Sequence, residues 1–233
     1  MNIRRDMRVV DHDMNFSHDG KSGRKPRILV VDDSKLNRAI VKKTLVPLAI
    51  EVAECADGQE ALDLLVSADF DLILVDIIMP RVDGFEFIQR FRALRSRAFV
   101  PVVLMTGLED LDNKIMGLNI GADDFLMKPL NDKELAARVN SLLRLKGAHD
   151  ELFAKNEMIR RELAIAKRVQ QFIIPGDFSR FPSPGITGRY LPIEDIGGDY
   201  FDAYHLENGS VGMVIADVTG HGIPAAMVMT MSK

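Results

Sequence analysis

Residues 27–33 read RILVVDD, and this stretch decides the fold. Ile28 to Val31 form an unbroken apolar run, too short for a helix and rich in β-branched side chains. A strand with one wet face alternates apolar and polar residues. A continuous run is expected where both faces are covered, as in a parallel sheet. Two acids, Asp32 and Asp33, end the run. SKLNRAIVKKTLV at 34–46 follows with helical spacing, and Ser34 can cap it.

Outward from there the alternation recurs. EVAEC (51–55) precedes QEALDLLVS (59–67), and DLILVD (71–76) precedes FEFIQRFRALR (85–95). VPVVLMTG (100–107) precedes DNKIMGLNIG (112–121), and DDFLMK (123–128) precedes a helix from about Asp132. Five rounds of strand then helix predict an α/β fold, a doubly wound five-stranded parallel sheet. Residues 1–25 are polar and aperiodic and read as a flexible tail.

Open parallel sheets bind ligands at the carboxyl ends of their strands. Those ends carry Asp32 and Asp33, Asp76, Thr106 and Lys128. An Asp at one strand end is often only a turn or cap residue. Chemistry-bearing residues at four of the five ends point to a site. Three neighbouring carboxylates repel one another and call for a cation. Oxygen-only ligands favour Mg²⁺. A carboxylate beside Mg²⁺ can attack a phosphoryl donor and become an aspartyl phosphate. Mg²⁺ and Lys128 would neutralise the transferring group, and Thr106 could hydrogen-bond it.

VVDD (30–33), DIIMPRVDGFE (76–86), LMTG (104–107) and LMKP (126–129) resemble the signature segments of the two-component receiver family. The resemblance covers about residues 25–147 and implies a flavodoxin-like domain, placed at 26–147. It makes Asp76 the phosphoacceptor, and Asp32, Asp33, Asp76 and the backbone carbonyl of Ile78 the Mg²⁺ ligands. Thr106 and Lys128 become phosphate-contacting residues, and Thr106 and Phe125 the switch pair. Phe125 stands where many receivers have Tyr, so a hydroxyl contact is lost. The Lys128–Pro129 bond is expected to be cis. Ile78 and Leu108 are apolar and cannot orient an attacking water, which predicts slow loss of the phosphoryl group.

The fifth helix has no clear stop. Gly147 is a weak point, but helix-favouring composition runs on to about Ile173. Leu142, Leu145, Leu152, Ile159, Leu163, Ala166 and Ile173 share one stripe, with His149, Asn156 and Gln170 filling its gaps. A polar Asn on such a seam fits a dimeric coiled coil, so a helical linker at 148–174 and a homodimer through it are expected. A single amphipathic helix packed on a neighbouring domain is the alternative.

Pro175, Pro182 and Pro184 then break the helix. Residues 175–233 read as strand, a hairpin turn through Glu207, Asn208 and Gly209, strand, glycine-rich turn and helix start. That is a poor independent core, and the segment reads as the opening of an α+β domain. AKRVQQFIIP (166–175), GGDYFDAY (197–204) and IADVTGHGIPAAM (215–227) resemble the start of a PP2C-type serine/threonine phosphatase. The resemblance implies Mn²⁺ or Mg²⁺ held by Asp199, Asp217 and the carbonyl of Val218. It also implies further acids from later strands, so these residues alone are expected to lack phosphatase activity.

The chain has 233 residues, room for about two domains. Its net charge of −4 argues against nucleic acid as the main partner. No basic recognition helix follows the receiver-like part. The single cysteine, Cys55, excludes an internal disulfide and fits a cytoplasmic setting. No apolar run nears the ~20 residues of a membrane span, and no signal peptide is apparent. The five histidines lack metal-ligand spacing, and the twelve methionines read as core filler. The reading that results is a phosphorelay response regulator. A histidine kinase or phosphotransfer protein is its donor, and a protein phosphatase is its output. An anti-sigma-factor antagonist is the substrate implied by resemblance. A phosphorylation-gated adaptor with a non-catalytic phosphatase remnant is the alternative.

Overall fold

The computed structural model describes residues 24–94, 99–107, 116–175, 178, 181, 185–191 and 196–231. Residues 1–23 of the expected tail, Leu108, Pro182 and Pro184 lie outside them. The chain divides into two compact units, 1–150 and 151–233.

In the first unit the strands are β1 (Arg27–Val31), β2 (Glu51–Cys55), β3 (Leu72–Asp76), β4 (Val102–Thr106) and β5 (Asp124–Met127). They form one parallel sheet in the order β2-β1-β3-β4-β5. Every residue of β3 and of β4 is buried, which is why those runs lack polar alternation. The helices are α1 (Lys35–Leu45), α2 (Gly58–Leu65), α3 (Gly84–Ala93), α4 (described at 116–119) and α5 (Asp132–Ile173). Alternate strand residues feed opposite faces. Leu29, Val31, Ile73, Val75 and Leu104 pack with Ala61 of α2 and with Phe87 and Ile88 of α3. Ile28, Val30, Leu74, Val103 and Met105 pack with Val41 and Leu45 of α1 and with Leu135, Val139 and Leu142 of α5.

Local chemistry sets the helix starts. Ser34 Oγ accepts the Asn37 N–H at 3.4 Å, and Asp83 Oδ1 accepts that of Glu86 at 2.8 Å. Asp57 Oδ1 takes the N–H groups of Gln59 and Glu60, and Asn131 Oδ1 those of Lys133 and Glu134. Each such cap is worth about 1 kcal/mol.

Helix α5 continues through Gly147, spanned by a Lys146–Asp150 ion pair at 2.5 Å. The coiled-coil stripe needs correcting at its ends. Leu142 lies in the first unit's core, and the His149 ring sits 4.9 Å from that of Phe99. Gln170 is buried and bonded within the second unit, where Ile173 also packs. Leu145, Leu152 and Ile159 remain exposed.

The second unit adds β6 (Tyr200–His205), β7 (Val211–Ala216) and α6 (Gly222–Met231). The strands pair antiparallel as a hairpin of no named fold. Gly209 sits at φ 79 in its turn, a left-handed position that suits glycine. Small clusters form around Ile174, Tyr200 and Met229, and around Phe178, Phe181 and Ala203. Met213 is 71% exposed and Ile215 90%, so most of β7 is uncovered. Among the described residues no helix is long and apolar enough to cross a membrane.

Candidate functional site

The parallel sheet brings Asp32, Asp33, Asp76, Thr106 and Lys128 to one edge. Oxygens of Asp32, Asp33 and Asp76 lie within 4.8 Å of one another. Asp32 and Asp76 are buried and Asp33 is exposed. Lys128 Nζ bridges the buried pair, 2.8 Å from Asp32 Oδ2 and 2.6 Å from Asp76 Oδ2. One ammonium thus faces three carboxylates. Burial pushes the Asp76 carboxyl up, against the pull of Lys128. Burial pushes the Lys128 ammonium down, but its bonds to Asp32 and Asp76 prevail and hold it above the usual lysine range. Lys128 is thus the ammonium set against a group of three carboxyl groups.

Neighbouring residues fix these groups. Asp32 Oδ1 accepts the Ser34 N–H at 2.8 Å, and Asn37 Nδ2 donates to both Asp32 oxygens at 3.1 Å. Arg38 Nη1 donates to the carbonyls of Asp32 at 2.6 Å and Asp33 at 3.2 Å. The Lys128 N–H donates to the Thr106 carbonyl at 2.7 Å, which aligns the ends of β4 and β5. The buried Thr106 hydroxyl donates to the Gly107 carbonyl at a long 3.4 Å. Lys128–Pro129 is cis, as the resemblance implied.

The loop after β3 is fastened on both sides. The Gly58 N–H donates to the Val82 carbonyl at 3.2 Å, and the Gly84 N–H to the Ile77 carbonyl at 2.9 Å. A Cβ on Gly84 would stand 2.2 Å from the Asp76 carbonyl oxygen, so only glycine allows this approach. Arg81 forms an ion pair with buried Asp57 and holds φ at 65, costly for a residue with a side chain. Ile78, whose carbonyl the resemblance makes a metal ligand, is 77% exposed. Phe125 is partly buried on β5, with the Arg138 guanidinium 5.7 Å from its ring centre.

Residues 28–140 match the family described as the response regulator receiver domain. A CheY-like receiver protein from Methanospirillum hungatei superposes with TM-score 0.50 at 30% identity, covering 54% of this chain and 99% of that one. This chain belongs to the response regulator receiver family. The transcriptional regulator RpaA of Synechocystis is 40% identical over 119 residues, which are 51% of this chain and 49% of RpaA. The response regulator PleD of Caulobacter vibrioides is 37% identical over 169 residues, which are 72% of this chain and 35% of PleD. The chain spans about half the length, or less, of the curated relatives it matches. The part after the receiver is assigned to no family.

The receiver's Asp32, Asp33 and Asp76 group is typical of a receiver Mg²⁺ site. The donor set fits such an ion on its own chemistry, since every ligand is a hard oxygen and the local charge is negative. Sequence reading of the receiver missed Asn37, Arg38 and the Arg81–Asp57 pair. Asn37 carried a signal, because it stands three residues after the Ser34 cap, where a capping box has Glu or Gln.

In the second unit Asp199 and Asp217 are both exposed and lie on glycine-rich loops. The two loops touch, with the Val218 N–H 3.4 Å from the Gly198 carbonyl. A Cβ on Gly198 would come 3.1 Å from the Val218 oxygen and from Ala225 Cβ. Gln170 Nε2 donates to the Gly197 carbonyl at 2.5 Å, and its Oε1 accepts the Gly197 N–H at 3.1 Å. Among the described residues no third acid joins Asp199 and Asp217. His221 is exposed beside them in sequence.

Proposed function

We propose that Asp76 accepts a phosphoryl group and that phosphorylation controls an output carried after α5. The supporting observation is Lys128 bridging Asp32 and Asp76, an ammonium beside the attacking carboxylate. A receiver implies a histidine kinase as donor, directly or through a phosphotransfer protein. An Asp76 oxygen attacks the phosphorus of a phosphohistidine. The P–O bond forms as the P–N bond breaks, and the imidazole leaves with the electron pair and takes a proton from solvent. Lys128 stabilises charge on the transferring oxygens. Asp32, Asp33, Asp76 and the Ile78 carbonyl would hold Mg²⁺, which when bound neutralises further charge on the phosphoryl group. The Thr106 hydroxyl gives up its long contact with Gly107 and donates to a phosphoryl oxygen. Phe125 repacks with it.

Acetyl phosphate with Mg²⁺ should add one phosphoryl group to the wild-type mass and none to Asp76→Asn. Equal labelling of the variant would overturn the assignment. Ile78 and Leu108 are apolar residue types that cannot orient an attacking water, so the acyl phosphate should persist for many minutes. Loss of label within seconds would contradict this.

For the output, the reading is a PP2C-type serine/threonine phosphatase, with an anti-sigma-factor antagonist as its class of substrate. Asp199, Asp217 and the Val218 carbonyl would hold Mn²⁺ or Mg²⁺. Two-metal hydrolysis needs more carboxylates than these. Among the described residues no third acid accompanies Asp199 and Asp217, and the 233-residue chain should not turn over a phosphoserine peptide; a phosphorylation-gated adaptor is the alternative. Exposed Leu145, Leu152 and Ile159 on α5 support a homodimer through that helix.

A further inference from the structure

We infer that Asn37 is a positioning residue that tunes the receiver's Mg²⁺ affinity by holding the Asp32 carboxylate, an inference that rests on Mg²⁺ binding at this site. Asp32 is wholly buried, and a buried carboxylate must have its lone pairs met. The Ser34 N–H meets one, Lys128 meets one, and Asn37 Nδ2 meets one on each oxygen. Lys128 is shared with Asp76, so it is the donor drawn off when charge is redistributed at Asp76. The Ser34 N–H reaches Oδ1 alone. Asn37 is the neutral donor that spans both oxygens and keeps the carboxylate plane fixed while Lys128 moves.

The helix itself does not call for this residue. Asn37 is the third residue of α1, where Glu or Gln would complete a capping box with Ser34 and Glu would also favour the helix dipole. The first turn of α1 carries no acid at all. A carboxylate at half-buried position 37 would face buried Asp32, and like charges at that range disfavour the ionised form of both. The amide is the side chain that favours the neighbouring acid at the helix's expense. Groups that orient metal ligands in this way typically change metal affinity 10–100-fold when removed.

Mg²⁺ titration of the full chain, followed by amide NMR shifts and by the gain in melting temperature, tests this. Asn37→Ala and the near-isosteric Asn37→Leu should raise the Mg²⁺ Kd about tenfold. Asn37→Gln, which keeps the donor, should recover part of the loss. At saturating Mg²⁺ the rate of labelling by acetyl phosphate should return to within about twofold of wild type. Helix content and metal-free melting temperature identify any variant that fails to fold, and Leu keeps the volume if Ala does not hold. Folded Ala and Leu variants with an unchanged Mg²⁺ Kd would overturn the inference while leaving Mg²⁺ binding intact. A wild-type chain that shows no Mg²⁺ response would overturn both.

Discussion

The two units contain strands of similar composition and treat them differently. β3 reads LILVD and β7 reads VGMVIA, both apolar almost throughout. In the receiver, β3 lies between β1 and β4 and both of its faces are covered, by α1 and α5 on one side and α2 and α3 on the other. In the second unit, among the described residues, β7 pairs only with β6, and residues 213–216 are exposed. A run of this kind is stable only where both faces find partners, since burial of apolar surface is what offsets the loss of chain entropy. The same pattern therefore marks a finished layer in one unit and a layer still open on one side in the other.

The sharpest way to break that comparison is a matched pair of truncations. Leu74→Ala removes a wholly buried side chain from β3, and Ile215→Ala removes one that is 90% exposed on β7. Leu74→Ala should cost about 3 kcal/mol. Hydrogen exchange at β3 and β4 amides should then quicken by about 100-fold where it proceeds through global opening. Ile215→Ala should change β6 and β7 amide exchange by less than about threefold, as expected of an exposed site. Equal slowing or quickening in both would mean that β7 is covered in solution.

A smaller effect tests what fastens the loop beside the phosphoacceptor. Burial would push the Asp57 carboxyl up, but the N–H groups of Glu60 and Gln59 and the Arg81 guanidinium hold it below the usual carboxylate range. A folded-state value below the unfolded one favours the ionised, folded form. The contribution is present above the unfolded value of about 4 and is lost as pH falls through the folded one. Asp57→Ala should cost about 1 kcal/mol at neutral pH, chiefly through the cap of α2. It should also flatten the acid side of the stability curve. Arg81 is 63% exposed, so its share of this is small. An unchanged acid limb in the variant would show that Asp57 does not titrate with folding.

The fold was legible because its determinants are local. Apolar runs, caps and the acids at strand ends sit within a few residues of one another, and a parallel sheet gathers the ends of its strands by geometry alone. Asp32, Asp76, Thr106 and Lys128 could be read for that reason. Arg81–Asp57 and Gln170–Gly197 could not, being pairs 24 and 27 residues apart that depend on how loops dock. Leu142 falls on the same stripe as the expected coiled-coil residues because a core-facing helix stripe and a coiled-coil seam share the same spacing. Only the packing of α5 on the sheet separates them. Gln170 shows the converse, since a polar residue on an apolar stripe reads as a register device until its partner, the Gly197 backbone, is seen.

Gly147 offers the mildest probe of the boundary between the two units. It lies in the middle of α5, three residues before the first unit ends, and has no neighbouring atom within 4 Å of where a Cβ would stand. Neither close packing nor a left-handed backbone requires glycine there. An interior helical glycine costs about 0.5–1 kcal/mol relative to alanine. Gly147→Ala should therefore raise protection of the α5 amides around it about threefold, without changing labelling of Asp76. If the variant instead keeps its phosphorylation but loses any difference between its phosphorylated and unphosphorylated α5 exchange patterns, the glycine is retained so that the helix can yield at that point. The stability it forgoes is then the cost of coupling the receiver to the second unit.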